Sequence, residues 1–259
     1  MHGDWTLLGP FREALQGRCR LVEFTYPRRT DWRLDDYAQV LSAELARQGV
    51  NRGWLLAESF SSQVAWALAR RCSQRTLDPA TAFQPCGLIL AGGFVRHPVL
   101  FGVRMAAAIS RVIPLWLLGK LCGAYGQWAQ RRCQAGSATS REIELFVARR
   151  SNPLDRAAIT RRYSVLLNED LRSVARGVRF PVYLLTGGKD PIVPWPAVSR
   201  WLRRQCPGFR EQRVLWNAGH NVLLDDPHRA AAQVLQWIDA RHSSEKCAPT
   251  VPGESNVNR

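Results

Sequence analysis

The chain has 259 residues and a hydrophobic content of 46%, which suffices for a substantial core and excludes an intrinsically disordered protein. Its formal net charge of +15 could indicate a nucleic-acid or anionic-membrane partner. The Arg pairs are dispersed, however, with no basic tail and no aromatic-interleaved motif, so they predict solvated faces and no nucleic-acid partner.

Short apolar runs alternate with helical patterns along the chain, which predicts an α/β fold with a mainly parallel sheet flanked by helices. The predicted strands are Leu21–Tyr26, Trp54–Ala57, Leu88–Ala91, Val182–Thr186 and Arg213–Trp216. The predicted helices lie near Pro10–Leu15, Asp35–Gln48, Ser61–Cys72, Ala197–Gln205 and Pro227–Arg241.

The stretch from about Val95 to Arg172 reads as consecutive helices without a strand, which predicts an inserted helical cap. The expected division is a first core part over residues 1–94, the cap over 95–172, a second core part over 173–242 and a disordered tail over 243–259. Charged residues and Pro114 interrupt the longest apolar stretch of the cap, so no membrane-spanning helix is expected and a peripheral membrane contact stays open.

The segment Ala57-Glu58-Ser59-Phe60-Ser61 stands between a predicted strand and a predicted helix. A sharp turn there would expose a serine nucleophile at the carboxyl edge of the sheet, provided that the residues two before and two after it are small. Ala57 and Ser61 meet that condition around Ser59. The Phe60 N–H would then be an oxyanion donor, whereas Glu58 is interpreted as solvent-facing or loop-supporting. The alternative is that a serine here simply caps the helix.

A serine nucleophile needs a histidine base and an orienting carboxylate. His220 follows the last predicted strand and is the best placed of the histidines for a loop at the same edge of the sheet. Asp190 follows the strand Val182–Thr186, and Asp225 and Asp226 are its rivals for the acid role. The order Ser, Asp, His along the chain, each after a predicted strand, favours a catalytic trio over three unrelated turn residues.

With these motifs, the sequence resembles the α/β-hydrolase superfamily, in particular a bacterial esterase-like group whose turn reads much like LLAESFSG. The resemblance extends through LLTGGKDPIVP and GHNVLLDDP and implies that Ser59 is the nucleophile, Asp190 the acid and His220 the general base. It also implies that a cap covers Ser59. Ser61 departs from the group, which usually has glycine at that position.

The sequence also departs from the family at its N-terminus. The family has two or three strands before its oxyanion loop, so these N-terminal strands are expected to be missing from a chain that starts at Met1. His2 and Gly3 are interpreted either as a His-Gly oxyanion element, with the Asp4 N–H as donor, or as the end of a longer glycine loop. The expected cause is a start assigned too late or a fragment.

The leading hypothesis is a serine hydrolase that cleaves a carboxylic ester or thioester with a hydrophobic acyl or alkyl group, without metal or organic cofactor. Acyl transfer to an alcohol and a catalytically silent binding protein of the same fold are the alternatives. Seven cysteines without a zinc-like spacing indicate reduced thiols in a cytoplasmic protein. The sequence does not determine the oligomeric state. The candidates for the substrate pocket are Trp5, Phe94, His97 and Trp116.

Overall fold

Four parallel strands form one sheet in the computed structural model, in the order β1-β2-β3-β4. The structure describes residues 8–73, 83–114 and 153–246, with side chains as far as residue 240, and the isolated positions 117, 120 and 124. The strands are β1 (Arg52–Glu58), β2 (Gln84–Ala91), β3 (Val182–Gly187) and β4 (Phe209–Leu215). The helices are α1 (Gly9–Leu15), α2 (Leu34–Arg47), α3 (Ser61–Ser73), α4 (Leu100–Val112), α5 (Pro153–Asn168), α6 (Arg172–Gly177), α7 (Trp195–Gln205), α8 (Val222–Asp225) and α9 (Pro227–Lys246).

The register of the sheet brings the carboxyl ends of the strands together at one edge. Glu58 at the end of β1 pairs with Ala91 of β2, and Gly187 at the end of β3 pairs with Leu215 of β4. The loops that follow these strands therefore start side by side, which is where ligands bind in open parallel sheets.

Helices bury both faces of the sheet, so the inner strands are apolar on both sides. Leu88 and Leu90 of β2 face a core that includes residues of α2, α3 and α7. Ile89 and Ala91, one position out of phase, face a second core built with α1 and α9. This alternation follows from the two-residue period of a strand. The α/β fold expected from the sequence is confirmed.

The described part of the segment between β2 and β3 is helical, as the sequence predicts. In this segment α4 packs against α5, where the hydroxyls of Ser110 and Thr160 are hydrogen bonded at 2.9 Å. The side chain of Arg162 on α5 is buried and donates to the carbonyl oxygen of Pro27 at 3.1 Å, which ties α5 to the core. The domain boundaries proposed from the sequence stay a prediction.

The segment Leu21–Tyr26, predicted as a strand, is not one. Its side chains alternate between the core and solvent, and Tyr26 is buried. A strand also needs a backbone partner. Among the described residues β1 pairs with β2 alone, and no strand hydrogen bonds to residues 21–26.

Several element boundaries differ from the sequence prediction, and the differences at β4 and α9 are among them. β4 begins at Phe209 and ends at Leu215, so it starts earlier than predicted and leaves out Trp216. α9 continues to Lys246, past the predicted helix end at Arg241; the tail predicted for residues 243–259 stays a prediction, and residues 247–259 lie outside the described residues. None of the helices described is long and apolar enough to cross a bilayer. The described cysteines are free thiols, namely Cys19, Cys72, Cys86 and Cys206.

Candidate active site

Ser59 occupies a tight turn between β1 and α3, as the sequence predicts. Its φ angle is +53°, a left-handed conformation that it alone adopts among the non-glycine residues described. Its N–H donates to the carbonyl oxygen of Ala91 at 3.0 Å, so the turn is fixed to the neighbouring strand. Such strain in a residue with a side chain is typical of functional sites and persists only where the surroundings hold it.

The small residues around this turn are required by close packing. A Cβ atom added to Gly93 would lie 2.9 Å from Cβ of Ser62 and 3.4 Å from the carbonyl oxygen of Ala57. Ser62 is also buried, and its hydroxyl bonds to the carbonyl oxygen of Ser59 at 2.6 Å and accepts from the Phe94 N–H at 3.1 Å. The Ser62 hydroxyl therefore has a structural role in the turn.

The Ser59 hydroxyl is hydrogen bonded to His220, and His220 is hydrogen bonded to Asp190. Oγ of Ser59 lies 2.9 Å from Nε2 of His220, and Nδ1 of the same ring lies 2.9 Å from Oδ2 of Asp190. An ionised carboxylate only accepts, so the proton of a neutral ring belongs on Nδ1 and Nε2 is left to accept the serine proton. We refer to these three residues as the Ser–His–Asp trio.

Asp190 is held by backbone donors as well as by the imidazole. Its side chain is fully buried, and its Oδ1 accepts from the N–H groups of Ile192 at 2.8 Å and Val193 at 3.0 Å. Burial of a carboxylate is costly unless its oxygens are hydrogen bonded, and here both oxygens are. These bonds fix the carboxylate in the direction of His220.

The turns that carry Asp190 and His220 are joined to each other. The Lys189 N–H donates to the carbonyl oxygen of Ala218 at 2.9 Å. A Cβ atom on Gly187 would lie 1.9 Å from the carbonyl oxygen of Gly219, so this position at the end of β3 requires glycine. Asp225, a rival for the acid role in the sequence, instead accepts from the Gly219 N–H at 2.7 Å and supports the histidine turn.

Of the three candidates for the oxyanion hole, the structure describes Phe60. Its N–H directly follows Ser59 and precedes the first residue of α3, where N–H groups lack acceptors within the helix. Its ring is buried and packs edge-on against Tyr26 and Tyr37, at centroid distances of 5.9 and 6.0 Å. His2 and Asp4 lie outside the described residues.

Of the pocket candidates, the structure describes Phe94 and His97, which are both buried. Their rings are in edge-to-face contact at a centroid distance of 4.9 Å, on the loop that follows β2. Burial lowers the pKa of His97, an effect that the positive form of His220 reinforces and that Asp190 partly offsets. Trp5 and Trp116 lie outside the described residues.

Glu58, which precedes Ser59, differs from its sequence-based interpretation. Its Oε1 is buried and has no hydrogen-bond partner among the described residues, so the solvent-facing interpretation is wrong. Burial raises the pKa of Glu58 to about 7, with His220 and a hydrogen bond from the Leu223 backbone acting in the opposite direction and Asp225 adding to the rise.

Elsewhere in the described chain, a groove runs between α4, α5 and the loop at Thr30, and none of the candidate site residues lines it. No cluster of His, Cys, Asp and Glu in the described residues could hold a metal ion. The Ser–His–Asp trio places a hydroxyl, an imidazole and a carboxylate in one chain of hydrogen bonds.

Comparison with known proteins identifies the family. A model described as the alpha/beta hydrolase family matches residues 1–234. The chain belongs to the α/β hydrolase family. A curated relative, the 2-succinyl-6-hydroxy-2,4-cyclohexadiene-1-carboxylate synthase of Salmonella paratyphi A, is 26% identical over 209 residues, which cover 78% of this chain and 75% of the relative.

Solved structures of the α/β hydrolase family share the fold. An esterase from Thermogutta terrifontis matches with a TM-score of 0.65 and 19% identity, covering 92% of this chain and 86% of the esterase. The enol-lactonase from Burkholderia xenovorans LB400 matches with a TM-score of 0.69 and 15% identity, covering 92% of this chain and 88% of the lactonase. At sequence identities of 19% and 15%, these matches show a shared fold alone.

Proposed function

We propose that this α/β hydrolase is a serine hydrolase that cleaves a carboxylic ester or thioester through an acyl-enzyme. The observation that supports it is the continuous hydrogen bonding from Ser59 through His220 to the buried Asp190, with both links at 2.9 Å. A serine hydroxyl becomes a useful nucleophile when a neighbouring base can remove its proton, and this arrangement supplies the base and the group that orients it.

The proposed reaction has two halves. His220 Nε2 takes the proton of Ser59 as Oγ attacks the carbonyl carbon, and Asp190 stabilises the imidazolium that forms. The Phe60 N–H donates to the oxyanion. The imidazolium then protonates the leaving alcohol or thiol as its bond to carbon breaks. In the second half, His220 takes a proton from water as the water attacks the acyl carbon, and it returns this proton to Oγ of Ser59 as the bond between Oγ and the acyl carbon breaks and the acid leaves.

The proposed substrate class carries a hydrophobic group, because the cap is rich in apolar side chains. On α4, Phe101, Met105 and Ile109 stay at least 46% exposed. An apolar surface of this kind favours an acyl or alkyl chain over a strongly polar substrate. With p-nitrophenyl esters, kcat/KM should rise from the acetate to the octanoate, and a flat profile would contradict the hydrophobic class.

Fluorophosphonate labelling tests the assignment of Ser59. The wild-type protein should be labelled covalently, whereas Ser59→Ala and His220→Ala should be labelled at least about a hundredfold more slowly because they lack the nucleophile or its base. Ser73→Ala, at the exposed end of α3, is the matched control and should be labelled like wild type. Equal labelling of wild type and Ser59→Ala would refute the proposal.

A second candidate function is a non-hydrolytic reaction at the same trio. It is favoured by the name of the curated relative, a synthase of a cyclohexadiene carboxylate at 26% identity. The two candidates differ in the acyl-enzyme. Mass spectrometry after rapid mixing with a p-nitrophenyl ester should show acylated Ser59 for the hydrolase, whereas fluorophosphonate labelling without any acylation or ester turnover would favour the second candidate.

A further inference from the structure

The groove between α4, α5 and the loop before α2 is lined by arginines and hydroxyls. Its volume is about 640 Å³, within the range of about 300–1,000 Å³ that is usual for small-molecule sites. Its polar lining residues are Thr30, Arg111, Arg156, Thr160, Arg161 and Ser164. None of the described residues that line it is acidic, and no member of the Ser–His–Asp trio is among them. We refer to it as the arginine groove.

One face of α5 supplies most of the arginine groove. Arg156, Thr160 and Ser164 follow each other at intervals of four residues, and Arg161 comes directly after Thr160. Residues three and four apart share a face of a helix, whereas Leu166 on the other face is buried in the core. The helix therefore presents two arginines and two hydroxyls to the groove together.

The two arginines of α5 are held in place by uncharged acceptors. Arg156 donates from its two terminal nitrogens to the carbonyl oxygens of Arg111 and Ile113, at 3.0 Å each. Arg161 donates from Nε and Nη2 to the carbonyl oxygens of residues 31–32, at 3.0 and 3.1 Å. Carbonyl oxygens do not neutralise the positive charge, and a guanidinium has further N–H groups beyond the two used. Both side chains can therefore still bind an anion.

The acidic residues adjacent in sequence to the groove are paired with arginines that do not line it. Asp155 is bonded to Arg28 at 3.0 Å, and Asp31 is bonded to Arg29 through both carboxylate oxygens, at 2.7 and 3.0 Å. Arg111 is exposed, and its side chain makes no hydrogen bond or ion pair with any described residue. The groove thus gathers three positive charges without a carboxylate in its lining.

We propose that the arginine groove binds a phosphate monoester, either free or as the headgroup of a lipid. At pH 7 such a group carries about −1.5 to −2 charges and has three strong acceptor oxygens. Guanidinium groups match phosphate oxygens with paired hydrogen bonds, and the hydroxyls of Thr30 and Ser164 add donors. A carboxylate has fewer oxygens and a single charge, so it would use fewer of these donors. The volume of the groove leaves room for the organic part of the ester.

Titration calorimetry with phenyl phosphate tests the site on the full chain. At an ionic strength of about 0.15 M, charges more than about 8 Å apart are largely screened. Wild type should bind at one site, and Arg111→Gln should raise Kd at least about tenfold because a charged donor is lost. Arg104→Gln is the matched control, since it removes an exposed arginine of α4 that does not line the groove. It should stay within about twofold of wild type.

NMR spectra locate the bound phosphate independently of the variants. Phenyl phosphate should shift the backbone amide signals of Thr30 and Ser164, which line the groove, and leave that of His220 unchanged. A shift at His220 with none at Thr30 and Ser164 would assign the anion to the Ser–His–Asp trio and would overturn the proposal.

Vesicles distinguish the two sources of the phosphate group. Phosphatidic acid in phosphatidylcholine vesicles presents a monoester at a surface, and vesicles of phosphatidylcholine alone do not. If the phosphatidic acid vesicles bind wild type and Arg104→Gln but not Arg111→Gln, the ligand is a lipid headgroup. If they bind all three alike or none, while Arg111→Gln selectively weakens phenyl phosphate binding, the ligand is a free ester.

Three results would overturn the proposal. They are an unchanged Kd for phenyl phosphate in Arg111→Gln, equal weakening in Arg111→Gln and Arg104→Gln, and no binding of wild type to either phenyl phosphate or the phosphatidic acid vesicles. Equal weakening would show that the net charge of the chain, and not the groove, attracts the anion.

Discussion

Ser59 and Gly92 both adopt left-handed backbone conformations, and both lie next to His220. Ser59 has φ +53° and is bonded to the ring, whereas Gly92 has φ +54° and follows β2. A Cβ atom on Gly92 would lie 2.8 Å from the His220 carbonyl oxygen and 3.5 Å from its Nδ1. A side chain at position 92 would therefore displace the histidine.

Gly92→Ala should remove activity by this displacement. The left-handed backbone costs an alanine about 1–2 kcal/mol of stability, and the contact with His220 adds to that cost. Gly49→Ala is the matched control, since Gly49 has φ +65° and a Cβ there would have no neighbour within 4 Å. Both variants should lose stability in urea unfolding, while only Gly92→Ala should lose at least about tenfold in labelling rate. Similar labelling of the two would contradict this prediction.

Glu58 shows how a buried carboxyl couples stability to pH. Its pKa rises from 4.5 to about 7 in the folded protein, chiefly through burial. The folded state thus binds this proton more tightly than the unfolded state, and unfolding releases it between these two values. The free energy of unfolding contributed by Glu58 is therefore present at low pH and is lost as pH rises through about 7.

Glu58→Gln should remove this pH dependence. Relative to wild type, the variant should become more stable as pH rises from 4.5 to about 7, by at most about 3 kcal/mol. Urea unfolding at a series of pH values measures the difference. Glu13→Gln, which removes an exposed carboxylate on α1, is the control. If the difference in free energy of unfolding between Glu58→Gln and wild type is the same at every pH, burial does not raise the pKa of Glu58 and the prediction is wrong.

At the scale of elements, Gln63 joins the nucleophile helix to the loop after β2. It lies on α3, is 1% exposed, and its Nε2 donates to the carbonyl oxygens of Phe94 at 3.0 Å and Val95 at 2.9 Å. This loop also carries His97. A single buried amide thus fixes the position of α3 relative to the loop that leads into the cap.

Gln63→Leu should destabilise the fold by about 2–4 kcal/mol, because two buried carbonyl groups lose their donor and a leucine of similar size cannot replace it. Gln233→Leu on α9 is the matched control, since Gln233 is also buried but its amide donates to the Gln236 side chain at 3.1 Å. Thermal and urea unfolding of the two variants give the comparison. If Gln233→Leu lowers the free energy of unfolding as much as Gln63→Leu does, the structural role of the Gln63 amide is contradicted.

The sequence predicted the centres of the elements better than their ends. Hydrophobic runs located β1 to β3, but the strands extend to polar residues such as Arg52 and Gln84 because ladder bonds involve the backbone and not the side chain. In β4 the charged residues Arg210 and Glu211 concealed the first half of the strand. The segment Leu21–Tyr26 was predicted wrongly for the opposite reason, because its alternating pattern suits a strand but no described strand pairs with it.

At the scale of the whole molecule, the site draws on residues far apart in sequence. His220 and Ser59 are 161 positions apart and are brought together at the carboxyl edge of the sheet. The sequence could predict this meeting because each residue follows a strand and parallel strands end on the same side. It could not predict the burial of the Glu58 carboxyl or the amide bonds of Gln63, since these depend on the detailed packing of separate loops.

The net charge of +15 is a property of the whole molecule, and from it we predict how Tm depends on salt concentration. Like charges repel in the compact state, whereas several of the described ion pairs, such as Arg18–Asp239 and Arg29–Asp31, are solvent-exposed, and such pairs contribute at most about 1 kcal/mol each. Screening should therefore weaken repulsion more than attraction. Because the Debye length falls from about 30 Å at 0.01 M salt to about 8 Å at 0.15 M, Tm should rise by a few degrees over this range of NaCl.

The double variant Arg200→Gln with Arg204→Gln tests whether charge repulsion causes this rise in Tm. Both arginines are exposed on α7, and their loss lowers the positive charge without disturbing the core. Its Tm should be higher than that of wild type at 0.01 M salt, and it should rise less between 0.01 M and 0.15 M. If Tm falls as NaCl is added, ion pairs outweigh repulsion and the charge argument is wrong. An equal rise in wild type and the variant would instead assign the effect to salt acting on apolar burial.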